Sequence, residues 1–327
     1  MNTALKLVHS AAGKRDYINR LIQSEPKTGV YFTDFIEQTL AKKAKRRGES
    51  YAKGYNTLIK HVKAFSVEYE AEIYTNSVGE DFLDDFICYL EEKDLRKNYI
   101  VTLLSLVKAM TAKAAKYGYA VDSSYDDVII DSEETFSVYL SMNEITRIYY
   151  FKGLTKKQER IRDLFIVGCL TALRYSDYST LTRDNFTKDS VIKVTKKTGV
   201  KVTIPISDYV REIYQKYDGE ISSGLSLQHF NRYIKKICQR VGINDPIVFN
   251  YTKGGILITE TKQKWELISS HTARRSFATN MKLTGRISSS EIMCFTGHTT
   301  EKSLNRYLKI TNDDHAKHIA GDNFFRK

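Results

Sequence analysis

The sequence predicts a mainly helical protein with small β-hairpins, an α+β second half, and two domains. Three observations carry this expectation. Apolar residues recur at helical spacing through most of the chain, whereas β-branched and polar residues alternate in only two short stretches of its C-terminal half. A length of 327 residues exceeds what one ordinary core serves, and a hydrophobic content of 42% is ample for two. Between the halves lies an aperiodic acidic stretch, and only three prolines interrupt the whole pattern.

Residues 1–27 form a weakly patterned N-terminal extension with no expected fold of their own. From 28 to 118 there are four helical patterns, marked by Phe32, Phe35, Ile36 and Leu40; Leu58, Ile59, Val62 and Phe65; Phe82, Leu83, Phe86, Ile87 and Leu90; and Ile100, Leu103, Leu104, Val107 and Met110. This spacing predicts a compact four-helix domain. Its first helix is expected to end in Lys42, Lys43, Lys45, Arg46 and Arg47, and its fourth carries Lys108, Lys113 and Lys116. Such residues either form a solvated face or contact phosphates. Residues 119–135 hold six acidic and no basic side chains and read as the interdomain linker.

The second domain, 136–327, opens on a capping box at Ser141 and Glu144. A long helix is expected from Gln158 to Leu173, with Ile161, Leu164, Phe165 and Gly168 facing inward. Arg174 and Asp177 follow at the start of another helical stretch. An arginine beside a buried apolar run is costly unless paired, so Asp177 satisfies it, or it points into a site, or both. VIKVTKKTGVKVTIPIS predicts a hairpin with Lys197 at its tip, and residues 208–242 return to helix. IVFNYTKGGILITETKQKWELI reads as a second strand pair. Its Gly254-Gly255 is a turn, because neither GxxxxGK[ST] nor GxGxxG accompanies it.

The stretch 269–310 gathers the chemistry. Ser270 is the expected N-cap of a helix that sets His271 and Arg274 on one face, able to grip one anion together. Ser288 and Glu291 form another capping box, Gly297 allows a sharp bend that places His298, and a third helix starting at Thr300 is expected to carry Tyr307.

Charge is distributed unevenly. Residues 136–327 hold 32 basic and 18 acidic side chains, and the whole chain is +12. A polyanion, most simply nucleic acid, accounts for this, as does a generally basic surface. Cys88, Cys169, Cys238 and Cys294 read as buried free thiols without CxxC spacing, so neither a disulfide nor a metal site is expected. No apolar run approaches the roughly 18 residues of a membrane span. The N-terminus lacks a signal-peptide pattern, so the expected location is cytoplasmic.

Arg174 in TALR, Lys197 in KTG, His271 and Arg274 in HTARR, His298 in TGH, and Tyr307 nine positions further on form an ordered set. This pattern resembles the tyrosine recombinase (phage integrase) family, which includes the Xer recombinases, Cre and the integrases of mobile elements. The resemblance implies a two-domain, C-shaped DNA clamp made of a SAM-like core-binding domain and a catalytic domain. It implies that Tyr307 attacks a scissile phosphate to form a 3′-phosphotyrosine, and that Arg174 and Arg274 hold the non-bridging oxygens. Lys197 would protonate the leaving 5′-oxygen, His271 would assist proton removal from the tyrosine, and His298 would hydrogen-bond the phosphate. Asp177 falls at the family's acidic support position, one methylene shorter than the usual glutamate. No metal, nucleotide or other cofactor is implied. The implied partners are double-stranded DNA sites, synapsed by a homotetramer whose subunits are monomeric when free, in a nucleoid-associated setting. Phe324 and Phe325 would anchor on a neighbouring copy or close the chain's own core. A type IB topoisomerase and a catalytically idle DNA-binding regulator on the same fold are the alternatives.

Overall fold

A computed structural model describes residues 29–43, 49–129 and 131–310, together with Ala316 and Ala320. The extension 1–27, the basic residues Lys45, Arg46 and Arg47, and the tail phenylalanines Phe324 and Phe325 lie outside the described residues. The chain divides into two units: Met1–Thr135 with Asn250–Thr259, and Phe136–Phe249 with Glu260–Lys327.

The first unit is built on α1 (Phe32–Lys43), α2 (Glu49–Glu68), α3 (Glu80–Glu92) and α4 (Lys97–Lys116). Helix α1 buries Phe32, Phe35, Ile36 and Thr39, a stripe at i, i+3, i+4 and i+7, while Leu40 stays at the margin. Helices α3 and α4 bury Phe82, Leu83, Phe86 and Leu90, and Ile100, Leu103, Leu104, Val107 and Met110. Phe65 of α2 joins them, stacked 4.2 Å from Tyr69 and edge-on to Phe82 and Phe86 at 5.5 Å. Such aromatic pairs each add about 0.5–1.5 kcal/mol beyond the area they bury.

Much of the acidic stretch 119–135 packs on this unit. Asp122 accepts from the Ser124 N–H at 3.0 Å and opens a 3-10 turn, Ser123–Asp126, whose Tyr125 lies against the core. Asn98 and Glu133 exchange two hydrogen bonds, at 2.9 and 3.0 Å. The tip of the second hairpin also belongs to this unit. Its Gly254 and Gly255 sit at φ of 55° and 70°, and the Gly254 N–H donates to Leu95 O at 3.0 Å.

The second unit centres on α6 (Lys156–Thr171), which packs against α5 (Met142–Tyr150), α8 (Asp208–Lys216), α9 (Leu227–Val241) and α11 (Ser270–Leu283). Ser141 and Glu144 cap α5 reciprocally, and Thr155 and Gln158 do the same for α6. On α6, Ile161, Leu164, Phe165, Ile166 and Val167 are buried. Gly168 must be glycine, because a Cβ there would come within 2.7 Å of the Tyr178 ring on α7 (Tyr175–Tyr178). β1 (Ser190–Val194) and β2 (Lys201–Pro205) pair antiparallel, with Lys193 opposite Val202. β3 (Pro246–Lys253) pairs with β4 (Ile256–Gln263), and α10 (Lys264–Leu267), α12 (Ser289–Thr296) and α13 (Glu301–Asn305) complete the order.

The structure corrects several sequence expectations. Residues 208–242 form two helices, and Lys264–Leu267 is a helical turn, not a continuation of the strand pair. The N-cap of α11 is Ser269. Ser270 is already helical, with its N–H held by Asn231 Oδ1 at 2.8 Å. Cys169 and Cys238 are buried, but Cys88 and Cys294 are exposed. Each exposed thiol lies two residues past a core position, Phe86 or Ile292, and two residues on a helix turn about 200° away from it. Among the described residues, no helix is long and apolar enough to cross a membrane.

Candidate active site

The site begins where α6 ends. Ala172 adopts a left-handed conformation, φ 58°, which stops the helix and leads the chain extended through Arg174 into α7. A non-glycine residue there costs about 1 kcal/mol. The turn also aims the Ala172 carbonyl at α11, where Arg274 donates to it from Nη1 at 2.7 Å.

Arg274 is only 1% exposed, so its charge needs acceptors. Besides the Ala172 carbonyl, its Nη2 reaches the Thr296 carbonyl and, at 3.1 Å, His298 Nε2. Those two carbonyls close α6 and α12, where the helix dipole leaves partial negative charge. Burial and then Arg174 pull the Arg274 pKa down to about 10, so the guanidinium stays charged at neutral pH. Its Nε, and Nη1 of Arg174, are buried without a hydrogen-bond partner. Buried cationic donors without acceptors suit an incoming anion, and guanidinium groups suit phosphate in particular.

Arg174 and Asp177 are not ion-paired among the described residues. Asp177 is fully buried and instead accepts from the Lys196 N–H at 2.9 Å, tying the hairpin tip to α7. Thr195 closes the tip through Gly199 N–H at 2.9 Å. On this frame Lys197 is exposed, and its side chain makes no hydrogen bond or ion pair among the described residues. Its charge still reaches His271. That imidazole touches solvent, yet partial desolvation, followed by Arg275, Arg174, Arg274 and Lys197, lowers its pKa.

His298 follows Gly297, whose φ of 64° ends α12 and turns the chain. Burial, then Arg274 and Arg174, drive its pKa down to about 4. Tyr307 lies beside it, with ring centroids 4.8 Å apart, and the Arg274 guanidinium carbon is 5.3 Å from the tyrosine ring centre. The structure thus brings Arg274, His298 and Tyr307 into contact and leaves Arg174, His271 and Lys197 within electrostatic reach of them.

Tyr307 is not carried within a helix as expected, because α13 stops at Asn305. The chain leaves the helical path to meet Thr279 of α11, which accepts from the Lys309 N–H at 3.1 Å and lies 3.4 Å from the Tyr307 carbonyl. Tyr307 and Leu308 pack on the small core of Ala278, Ile292 and Leu304. Sequence reasoning missed Thr279, Thr296, Arg275 and the Ala172 carbonyl. One signal was available: Thr279 lies eight residues beyond His271 and therefore near the same helical face.

The lysines expected to meet DNA all lie in the first unit. Lys108 is engaged with the Asp126 carbonyl at 3.1 Å, while Lys42 and Lys116 are exposed. Lys113 Nζ is buried without a hydrogen-bond partner and lies 5.3 Å from the Tyr117 ring centre, and burial followed by Lys43 and Lys42 lowers its pKa to about 8.

Comparison with known proteins assigns both halves of the chain. Residues 31–135 match the phage integrase SAM-like domain, and 139–313 match the phage integrase family. Among solved structures, a lambda integrase dimer bound to a COC′ core site is similar at 15% identity and a TM-score of 0.64, over 84% of this chain and 94% of that one. The Tn1549 transposon integrase in complex with circular intermediate DNA is similar at 15% identity and a TM-score of 0.63, over 89% and 99%. A lambda integrase tetramer bound to a Holliday junction is similar at 15% identity and 0.62, over 86% and 78%. No match was found among curated proteins. These structural likenesses establish the fold, and with the two family matches they show that the chain belongs to the phage integrase family, the tyrosine-type site-specific DNA recombinases.

Proposed function

We propose that Tyr307 is the nucleophile of this recombinase and that Arg174 and Arg274 cradle the scissile phosphate. The observation that carries this reading is the contact of Tyr307 with both His298 and Arg274, beside two cationic N–H groups that lack acceptors. Attack of the tyrosine oxygen on phosphorus forms the 3′-phosphotyrosyl bond and breaks the bond to the 5′-oxygen. Neutral His271 takes the phenol proton and Lys197 delivers one to the departing oxygen. Each positioned donor to the developing charge is worth about 10²–10³ in rate. The phosphotyrosyl ester conserves the phosphodiester bond, so a 5′-hydroxyl from a partner strand reverses the attack without ATP. Asp177 supports the site by holding the hairpin tip that bears Lys197.

Lys42, Lys43, Lys108, Lys113 and Lys116, with Lys45, Arg46 and Arg47, form the proposed phosphate-tracking set of the first unit. Four copies acting on two DNA sites, at the nucleoid in the cytoplasm, are the proposed working assembly. The lambda integrase tetramer on a Holliday junction supports it.

The test uses a nicked duplex built on a site selected from random DNA by binding. Wild-type protein forms a protease-sensitive covalent adduct and Tyr307→Phe forms none; an adduct with Tyr307→Phe would assign the nucleophile elsewhere. Lys197→Ala abolishes cleavage, and a 5′-thiol leaving group restores it. Relaxation of supercoiled DNA lacking any site would instead support the topoisomerase-like activity.

A further inference from the structure

We infer that Thr296 is a positioning residue that locks His298 in a single neutral tautomer, with the proton on Nδ1 and the Nε2 lone pair turned to Arg274. Two independent hydrogen-bond constraints lead to this assignment. Thr296 is fully buried, and its hydroxyl lies 2.8 Å from the Ile292 carbonyl, which only accepts. The single hydroxyl proton is therefore spent on that carbonyl. The same oxygen lies 2.8 Å from His298 Nδ1 and must accept there, so Nδ1 carries the hydrogen. On the far side of the ring, Arg274 Nη2 lies 3.1 Å from Nε2, and a guanidinium only donates, so Nε2 is the acceptor. Both sides of the imidazole demand the same tautomer.

This tautomer has a consequence for the proposed reaction, and the inference to that extent rests on the phosphate-cradle reading. With its Nε2 occupied as an acceptor, His298 has no hydrogen to offer a phosphate oxygen. When an anion takes over the Arg274 N–H, Nε2 must gain a proton before it can donate, and Thr296 prevents the ring from supplying one by changing tautomer. Anion engagement at the arginines is thereby coupled to proton uptake at His298. The charged and titratable groups around the ring are Arg274 from α11, Arg174 from the segment before α7, and Tyr307 from the turn after α13. The two arginines disfavour imidazolium until an anion offsets them, which agrees with the lowered pKa of the free site.

The full-length protein labelled with ¹⁵N-histidine and ¹⁵N-arginine provides the test, with His298 assigned by its loss in His298→Asn and the two arginines by theirs in Arg174→Lys and Arg274→Lys. In the free protein near neutral pH, His298 Nδ1 should show a protonated, pyrrole-like shift and Nε2 a pyridine-like one. The reverse pattern, or averaging of the two, would overturn the assignment without involving DNA or any variant. Thr296→Val should release the ring into a mixture or the Nε2–H form, and Thr296→Ser should restore the wild-type pattern. If Thr296→Val leaves the pattern unchanged, Thr296 does not set it. Sodium sulfate added at constant ionic strength then probes the coupling. His298 should move towards the doubly protonated form in wild type and less so in Thr296→Val. A His298 that stays neutral while Arg174 and Arg274 side-chain signals shift would overturn the coupling. Unperturbed arginines would count against the phosphate cradle itself, leaving the tautomer assignment decided by the first measurement.

Discussion

The Arg174–Arg274 centre of the second unit and the Lys42, Lys43 and Lys113 cluster of the first both gather like charges, yet they resolve the repulsion in opposite ways. Arg274 is buried against two helix-end carbonyls and keeps its proton, its pKa only brought down to about 10. Lys113, with its Nζ buried over the Tyr117 ring and no hydrogen-bond partner, is brought down to about 8 by burial and then by its lysine neighbours. The contrast follows from side-chain chemistry. A delocalised guanidinium tolerates weak hydration and distributes several fixed donors, whereas a compact ammonium that loses water holds its proton less firmly. On the proposed reading, the permanent charge stands at the phosphate cradle and the more yielding charge among the lysines proposed to track phosphates.

The largest effect is expected from breaking the rigid side of this comparison. Arg274→Lys should reduce covalent adduct formation by at least about 10²-fold. It should also destabilise the fold, because one ammonium cannot serve both Ala172 O and Thr296 O, and each unsatisfied buried carbonyl costs about 1–3 kcal/mol. Arg174→Lys should impair cleavage comparably while leaving the urea midpoint near wild type, because its Nη1 supports no other element. Equal stability of the two variants would remove the helix-end role assigned to Arg274.

An intermediate effect is expected at Asp177, which separates tether from charge. Asp177→Asn keeps an oxygen for the Lys196 N–H, whereas Asp177→Ala frees the hairpin tip. Single-turnover cleavage should fall roughly tenfold further in the alanine variant, in line with ~1.4 kcal/mol for one lost buried hydrogen bond. A 5′-thiol substrate, which needs no Lys197 proton, should narrow that gap. Indistinguishable variants would point to charge alone.

The smallest effect concerns the yielding side. The folded pKa of Lys113 is about 8 against an ordinary 10.5, so between these values the unfolded chain binds more protons than the folded one. The contribution of this residue therefore opposes folding below about pH 8 and fades as pH rises towards 10.5. Urea midpoints of wild type should rise from pH 7.5 to pH 10 more than those of Lys113→Met. A parallel rise in both would show that Lys113 titrates normally. On DNA, the same variant should lower the slope of log affinity against log salt by about one.

Periodicity made the helices legible because a buried stripe must repeat with the helix: Phe32, Phe35 and Ile36, or Ile161, Leu164 and Phe165, lie inside as their spacing requires. The capping boxes at Ser141 and Ser288 were equally readable, being local chemistry between residues three apart. Misreadings arose where a distant partner overrode local preference. Ser270 gave up the cap because Asn231 holds its N–H, and the helix before Tyr307 ended early because Thr279 captures Lys309. Thr296 carried no distinctive local signal and Thr279 only its helical spacing from His271, since a threonine reveals its role chiefly through what packs against its hydroxyl.

The sequence by itself determined the helical domains, the hairpin that carries Lys197, and the ordered set of residues from Arg174 to Tyr307. Each of these is a matter of residue type and spacing along the chain. Only the tertiary structure decided that Arg274 is held by the ends of two helices, that Asp177 restrains the Lys196 backbone and does not pair with Arg174, and that Tyr307 meets His298 after its helix has ended. The protonation pattern of His298 belongs to the same group. Hydrogen bonds and desolvation act between groups brought close in space, and residues 172, 274, 296 and 307 become neighbours only when the core has closed.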